Sequence, residues 1–386
     1  MSAVTNTDPP ASPAVRTGGL RLSVLLVAIA ALEALAALHG ATFRVPLLAL
    51  VGVGLGFTLF QSTFGFAGSF RAVLEHGDAS GFKAQAVALA LASVIFFPLL
   101  SMGSVFGQHL SGFNAAIGVK FLTGAVFFGL GMQIGGGCAS GTLFALGGGN
   151  LRLMMTLFFF VIGSVVGAAT LHWWNGLPRF PAWTSQGLLG WPLALAVHLC
   201  IFAAVWRFAP GRPPTLRPEG ARLLGPWSLF TGAVGLALLN GATLVLAGRP
   251  WGETAGFTLW GSKWALWAGF DVTSWPYWRG NPGPLSASVF SDITSVMDLG
   301  IILGAALAAA VSGRFVLTWR VPPQAWAGAA AGGFLMGYGA RLSGGCNIGA
   351  YFSALASGSL SAWAWVAGAF VGSWIGLRLR PLFRLA

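Results

Sequence analysis

Charged side chains are scarce in this chain. They make up 8% of its 386 residues, where a soluble domain carries about a quarter. That excludes an ordinary water-soluble fold. Cysteine is scarce too, and three residues in a chain this long are no disulfide framework. The five histidines fall in separate segments. With no Cys-x-x-Cys spacing either, a zinc or copper centre is not expected. No phosphate-binding loop or dinucleotide fingerprint is present, which argues against a nucleotide-driven pump. No resident cofactor is therefore expected. The alternation over about ten residues that marks a membrane β-barrel is missing as well.

What the chain has instead is apolar bulk. Hydrophobic residues are 56% of the sequence and mean hydropathy is +0.77. The apolar runs are long and continuous, which predicts an all-α polytopic protein whose surroundings are the lipid bilayer. The 57 glycines and 17 tryptophans fit that reading: glycine lets helices pack closely, and tryptophan favours the interface. The formal net charge is +12, but the basic residues sit in short loops and near the ends. That is the positive-inside pattern of an inner-membrane protein rather than the mark of a nucleic-acid partner. Attraction of an anionic substrate is a second reading of the same charge.

In chain order, residues 1–19 are a polar, Pro-containing tail expected to be disordered, with no cleavable signal evident. Residues 20–45 hold an additional first helix, Leu20 to Leu38, with Glu33 as its only charge. A first half, 46–206, has expected spans at Pro46–Phe64, Ala84–Met102, Ala115–Ile134, Leu151–Leu171 and Gly187–Trp206. Within it, Gly65–Arg71 reads as too Gly-rich for a regular helix, and Gly103–Gly112 reads as a loop. Residues 207–225 are an Arg- and Pro-rich cytosolic loop. The second half, 226–386, has expected spans at Gly225–Ala247, Trp251–Phe270, Val289–Val311, Ala325–Ala340 and Ser361–Leu377. This makes roughly ten or eleven spans of about twenty residues. Charge places the N-terminus, the 207–225 loop and the C-terminus in the cytosol, and the strict span count does not satisfy all three.

Two stretches stand out. Residues 129–144 align with 337–352 at a constant offset: Gly129, Gly131, Gly136, Gly137, Cys138, Gly141 and Phe144 recur as Gly337, Gly339, Gly344, Gly345, Cys346, Gly349 and Phe352. Upstream, Gly56–Leu59 recurs as Gly256–Leu259 in a slightly different register. Each Cys motif is followed by only about ten residues before the next break, too few to span, so half-helices or re-entrant loops are predicted. Two weakly similar halves with interrupted helices at matching places point to a transporter site between them.

The chemistry follows from the residue types. Glycine brings backbone N–H groups close to a ligand, and a half-helix starting at each Cys adds unpaired donors and partial positive charge. The thiol adds a soft sulfur and a weak S–H donor, which suits a sulfur-bearing anion. The candidate liners are Cys138, Cys346, Gly136, Gly137, Gly344, Gly345 and Asn347, with Gln133 and Arg341 at equivalent positions of the two copies. Arg71, Lys120 and Lys263 are further basic candidates, set against snorkelling to the interface. Asp292 and Asp298 read either as proton carriers or as caps. Cys200, in an ordinary apolar run, reads as packing. A membrane thiol enzyme using Cys138 and Cys346, and a scaffold for a sulfur carrier, are the rival classes.

The Gly-Gly-Gly-Cys-Ala-Ser-Gly motif at 135–141, Ser-Gly-Gly-Cys-Asn-Ile-Gly at 343–349, and the segment 56–71 together resemble the YeeE/YedE membrane family of sulfur-transport proteins. The resemblance covers most of residues 46–377. It implies a non-enzymatic, pseudo-symmetric, hourglass-shaped helical fold with cysteines at the waist. Thiosulfate is passed along those thiols by transient S–H hydrogen bonds, and a small cytosolic sulfur-carrier protein is a candidate partner. Cys138 and Cys346 match two of the family's functional cysteines. The third, usually flanked by phenylalanines, corresponds here to Gly65 between Phe64 and Phe66. That departure leaves room for a different sulfur or selenium species.

Overall fold

The computed structural model describes residues 22–40, 42–212 and 225–385. The tail 1–19 and most of the Arg/Pro-rich loop lie outside the described residues. The chain runs through α1 (Leu22–His39), α2 (Arg44–Ser62), α3 (Phe66–His76) and α4 (Ser80–Met102). A short antiparallel hairpin, β1 (Ser104–Val105) with β2 (Gln108–His109), leads to α5 (Val119–Gly135), α6 (Ala139–Gly147) and α7 (Leu151–Ala169). Then come α8 (Ser185–Leu189), α9 (Trp191–Phe208), α10 (Leu229–Ala247), α11 (Thr254–Trp267), α12 (Gly283–Ser286), α13 (Ile293–Val311) and α14 (Pro323–Leu342). A π-helical turn, Asn347–Ser353, continues as α15 (Ala354–Ala356), and α16 (Ser361–Leu379) follows.

Eight stretches among the described residues are long and apolar enough to cross a membrane. Two are composites: Arg44–His76 joins α2 to α3, and Val119–Gly147 joins α5 to α6. α14 and α16 match the others in length, with 20 and 19 residues, but are richer in glycine, alanine and tryptophan. The protein is therefore an all-α, multi-pass membrane protein, as expected.

Two expectations are corrected. The stretch Trp251–Phe270 is not a span: α11 has 14 residues, about 21 Å at 1.5 Å per residue, against about 30 Å of hydrocarbon. Gly65–Arg71 is not an irregular break. Gly65 caps α3 in an extended conformation, and burial of Phe66, Ser69 and Phe70 along one face outweighs the poor helix propensity of Gly68. The loop 103–112 closes on itself as the hairpin.

Contacts between turns group them at the two ends of the bundle. The Ala79 N–H donates to Pro210 at 2.9 Å and the Trp227 N–H to Gln61 at 2.9 Å, so the turns α2–α3 and α3–α4 meet the α9–α10 connection at one end of the bundle. At the other end, His39 stacks on Phe290, and the Ser111 N–H donates to Gly248 at 2.8 Å. The end of α9, the start of α10 and the end of α16 share the first end.

The halves interlock. α2 packs on α13 and α4 on α10, while α5 packs on α16 and α7 on α14. Equating α2 with α10, α4 with α13, α5 with α14 and α7 with α16 turns each of these pairs into its mate. The upstream sequence match does not follow that scheme. Gly56–Leu59 lies late in α2, whereas Gly256–Leu259 lies early in α11. Small residues make the interlock possible. In the α2–α13 contact, Gly52 and Gly56 lie on the backbone of Met297 and Ile301, and Gly300 and Gly304 lie on Ala49 and Val53. A Cβ at any of these positions would meet main chain, the close approach that small residues permit between membrane helices.

Candidate functional site

Each Cys motif breaks a long helix and starts a short one. Gly136, at the end of α5, has φ +88°, and Gly344, after α14, has φ +74°, the left-handed region that glycine enters without a Cβ penalty. The next turn begins at the cysteine. Cys138 caps α6, its Sγ accepting from the Gly141 N–H at 3.4 Å with the Ser140 hydroxyl 3.3 Å away. Cys346 caps the π-helical turn, its Sγ accepting from the Ile348 N–H at 3.4 Å. Its S–H donates to Glu253 Oε2 at 3.5 Å. α6 has nine residues, and the π turn with α15 is equally short. These are the half-helices that the sequence predicts.

The two short segments pack on each other, and both thiols are almost fully buried, at 2% and 1% exposure. The start of α3 joins them. The Phe66 ring sits 6.4 Å from Tyr351 and 6.1 Å from Phe352, and the Ala67 carbonyl accepts from Gln133 at 3.3 Å. Gly65, where the resemblance places a third thiol, has open space where a side chain would begin; the nearest atom is the Thr63 carbonyl at 3.9 Å.

Cavities open toward the two ends of the bundle. One of about 460 Å³ reaches Cys346 and Glu253 at its base and is walled by Lys120, Arg249, Arg341 and Gly344. Another, about 290 Å³, holds Arg71, Arg152, Arg380 and Arg384 around Gly136. α5 runs from Lys120 in the first to Gly136 in the second. α7 runs from Arg152 toward Leu171, and α14 from Ala325 to Arg341, so both likewise join the two cavities. The helical rise between such residues is roughly 24–28 Å. Two basic cavities thus approach one buried, thiol-bearing waist from opposite ends.

The predicted liners divide between these parts. Arg341 is in the first cavity, donating from Nη1 to the Tyr277 hydroxyl at 2.9 Å and from Nη2 to Thr254 at 2.6 Å, with its guanidinium over the Tyr277 ring. Its counterpart Gln133 is at the waist, donating to the Ala67 carbonyl and to Ser373, each at 3.3 Å. Asn347 is fully buried, and neither its amide nitrogen nor its oxygen has a hydrogen-bond partner. Gly137 and Gly345 form the turns into the cysteines, and a Cβ at Gly345 would stand 2.9 Å from the Ala350 nitrogen. Lys120 and Arg71 line the opposite cavities.

Other expectations fall away from the site. Lys263 donates to the Leu285 and Ala287 carbonyls and holds a surface loop. Asp292 is a cap, accepting from the Ser295 N–H at 2.8 Å. Cys200 is exposed on α9 rather than packed inside. Asp298 is buried with both oxygens unpartnered. Sequence reasoning misses Glu253 and Arg152. Glu253 is visible as an acid inside an apolar run, but that run reads as the interior of a span.

Comparisons with known proteins give the family. A family model described as sulphur transport matches residues 61–375. The thiosulfate transporter TsuA of Spirochaeta thermophila is 30% identical over 348 residues, covering 84% of this chain and 96% of that protein. The thiosulfate transporter TsuA of Escherichia coli is 26% identical over 360 residues, covering 86% and 94%. The probable transporter YedE of Escherichia coli is 30% identical over 167 residues, covering 43% and 41%. These relatives are named as transporters, not as enzymes, and the family match runs through both cysteine motifs and the segment before them. The chain belongs to the sulphur transport family.

Proposed function

We propose that this protein takes up thiosulfate, or a closely related sulfur anion, across the bacterial inner membrane. The observation that carries the reading is the pair of buried thiols, each capping a half-helix, between two basic cavities. The anion enters the cavity of Lys120, Arg249 and Arg341, where focused positive potential raises its local concentration. It accepts an S–H hydrogen bond from Cys346, passes the waist beside Asn347, accepts one from Cys138, and leaves among Arg71, Arg152, Arg380 and Arg384. No covalent bond to sulfur is made or broken. A thiol is a weak donor, so each station holds the anion loosely enough to let it go. The unpartnered amide of Asn347 supports a polar visitor at the waist, since such groups are costly to bury unsatisfied.

Membership in the family and the names of the relatives support the substrate class. The arginine-rich end carries the end of α9, the start of α10 and the end of α16, and its basic residues support a cytosolic exit there. A small sulfur-carrier protein would receive the anion at that end. The test is uptake of labelled thiosulfate by the purified protein in liposomes, comparing wild type with Cys138→Ala and Cys346→Ala. Loss of one weak hydrogen bond of about 1 kcal/mol predicts a fall of about fivefold in each variant. Equal uptake by all three removes the thiols from the path.

A further inference from the structure

The outer cavity contains one group that contradicts its purpose. Glu253 sits at its base among Lys120, Arg249 and Arg341, 1% exposed, with Oε1 lacking any hydrogen-bond partner. Oε2 takes the S–H of Cys346, the thiol that an incoming anion must meet first. An ionised carboxylate there repels the anion and occupies the donor that the anion needs. The cavity works as an anion site only while Glu253 is neutral.

The groups that face Glu253 do not neutralise it. From the π turn comes Cys346, and from α6 the more distant Cys138. From α13 comes Asp298, a second acid, whose Oδ2 lies within 2.7 Å of the Cβ that Gly256 lacks. Asp292 caps the same helix and accepts from Ser295. Arg249 is engaged with Thr294, donating at 2.9 Å, and Arg341 with Tyr277 and Thr254. Among the described residues no arginine or lysine forms an ion pair with Glu253.

We propose that Glu253 is the proton-binding group that couples the flow of the anion to the flow of protons. The inference rests on the uptake reading above. A proton from the outer solution binds the Glu253 carboxylate, cancels its charge and frees the Cys346 S–H. That S–H then donates to the anion instead. One proton enters the site with each anion, and no bond to sulfur is involved. After the anion has moved on to Cys138 and the arginines, Glu253 releases that proton to the inner side, so that one proton crosses with each anion, and the carboxylate recaptures the Cys346 S–H. That resets the outer station.

The test uses the full-length protein in liposomes with the membrane potential clamped and a pH-sensitive dye inside. The expected result for wild type is faster thiosulfate uptake when the outside is made more acidic, approaching tenfold per pH unit where protonation of the single site is limiting. Thiosulfate addition also acidifies the lumen. Glu253→Gln is expected to lose both responses whatever its absolute rate, because the amide is neutral at every pH. Asp298→Asn separates the two acids and is expected to keep the pH response. Wild-type uptake that ignores outer pH and leaves the lumen unacidified overturns the proposal while leaving the transport reading intact. A pH response that survives Glu253→Gln, or disappears in Asp298→Asn instead, also overturns it. Absence of thiosulfate uptake at any pH sinks both. If Glu253→Gln does not fold, the wild-type measurements still decide.

Discussion

At the scale of single residues, the site depends on where glycine yields to a side chain and where it does not. Gly136 lies in the left-handed region with the Arg152 guanidinium occupying the place of a Cβ. Gly136→Ala should therefore displace Arg152 and strain the turn by about 1–2 kcal/mol. The expected readout is a lower melting temperature in detergent together with slower release of anion inward. Gly65 is the opposite case. Its backbone is extended and the space beside it is open, so Gly65→Cys should fold without loss and melt at the wild-type temperature or slightly above it. A clear drop in melting temperature would show that the site cannot hold a third thiol. The two buried thiols are legible in the sequence because a Gly-Gly-Cys turn needs glycine at a left-handed position next to one soft side chain. Glu253 is not, because its meaning comes from Cys346, 93 residues away in the chain. Nothing local announces that the segment after α10 folds back to that sulfur.

Among the elements, the glycine-lined crossings set the limits of tolerance. In the α2–α13 contact, Gly304 faces the Val53 backbone and Gly56 that of Ile301. Overpacking of such a contact costs about 1–3 kcal/mol, so Gly304→Val should lower the detergent melting temperature and reduce the yield of folded protein. Gly68, in α3, has nothing within 4 Å of its missing Cβ. Gly68→Ala should leave stability unchanged or raise it by a few tenths of a kcal/mol. If both substitutions behave alike, close packing does not account for the glycine content. The long helices are legible because an unbroken apolar run of about twenty residues matches the thickness of the hydrocarbon layer and little else. α11 and α3 escape a reading of composition for a common reason. Both are short helices held by packing that composition does not display: α11 lies on α7 and α13, and α3 on the next helix, α4, and on the distant α16. Composition cannot separate a short buried helix from part of a span, nor a Gly-rich helix held by packing from a loop.

At the scale of the whole molecule the three thiols differ in access: Cys346 lines the cavity at one end, Cys138 is buried and lines neither basic cavity, and Cys200 is exposed on α9. With Cys200 replaced by serine, a membrane-impermeant, anionic thiol reagent added from outside should label Cys346 and not Cys138, and thiosulfate should protect against it. Labelling of Cys138 from the same side would put the two stations in the wrong order. The overall architecture is only half legible. The duplicated motif shows in the sequence, but the exchange of partners between halves does not, because it is a fact about tertiary contacts. That exchange has a consequence for biogenesis. While residues 1–212 have left the ribosome alone, α5 and α7 have neither α16 nor α14 to cover them, and α2 lacks α13. The glycine-lined surfaces of the first half must wait in the bilayer, or beside an insertase, until the last helix is made. The two halves expressed as separate chains should each be degraded, whereas their co-expression should rescue both.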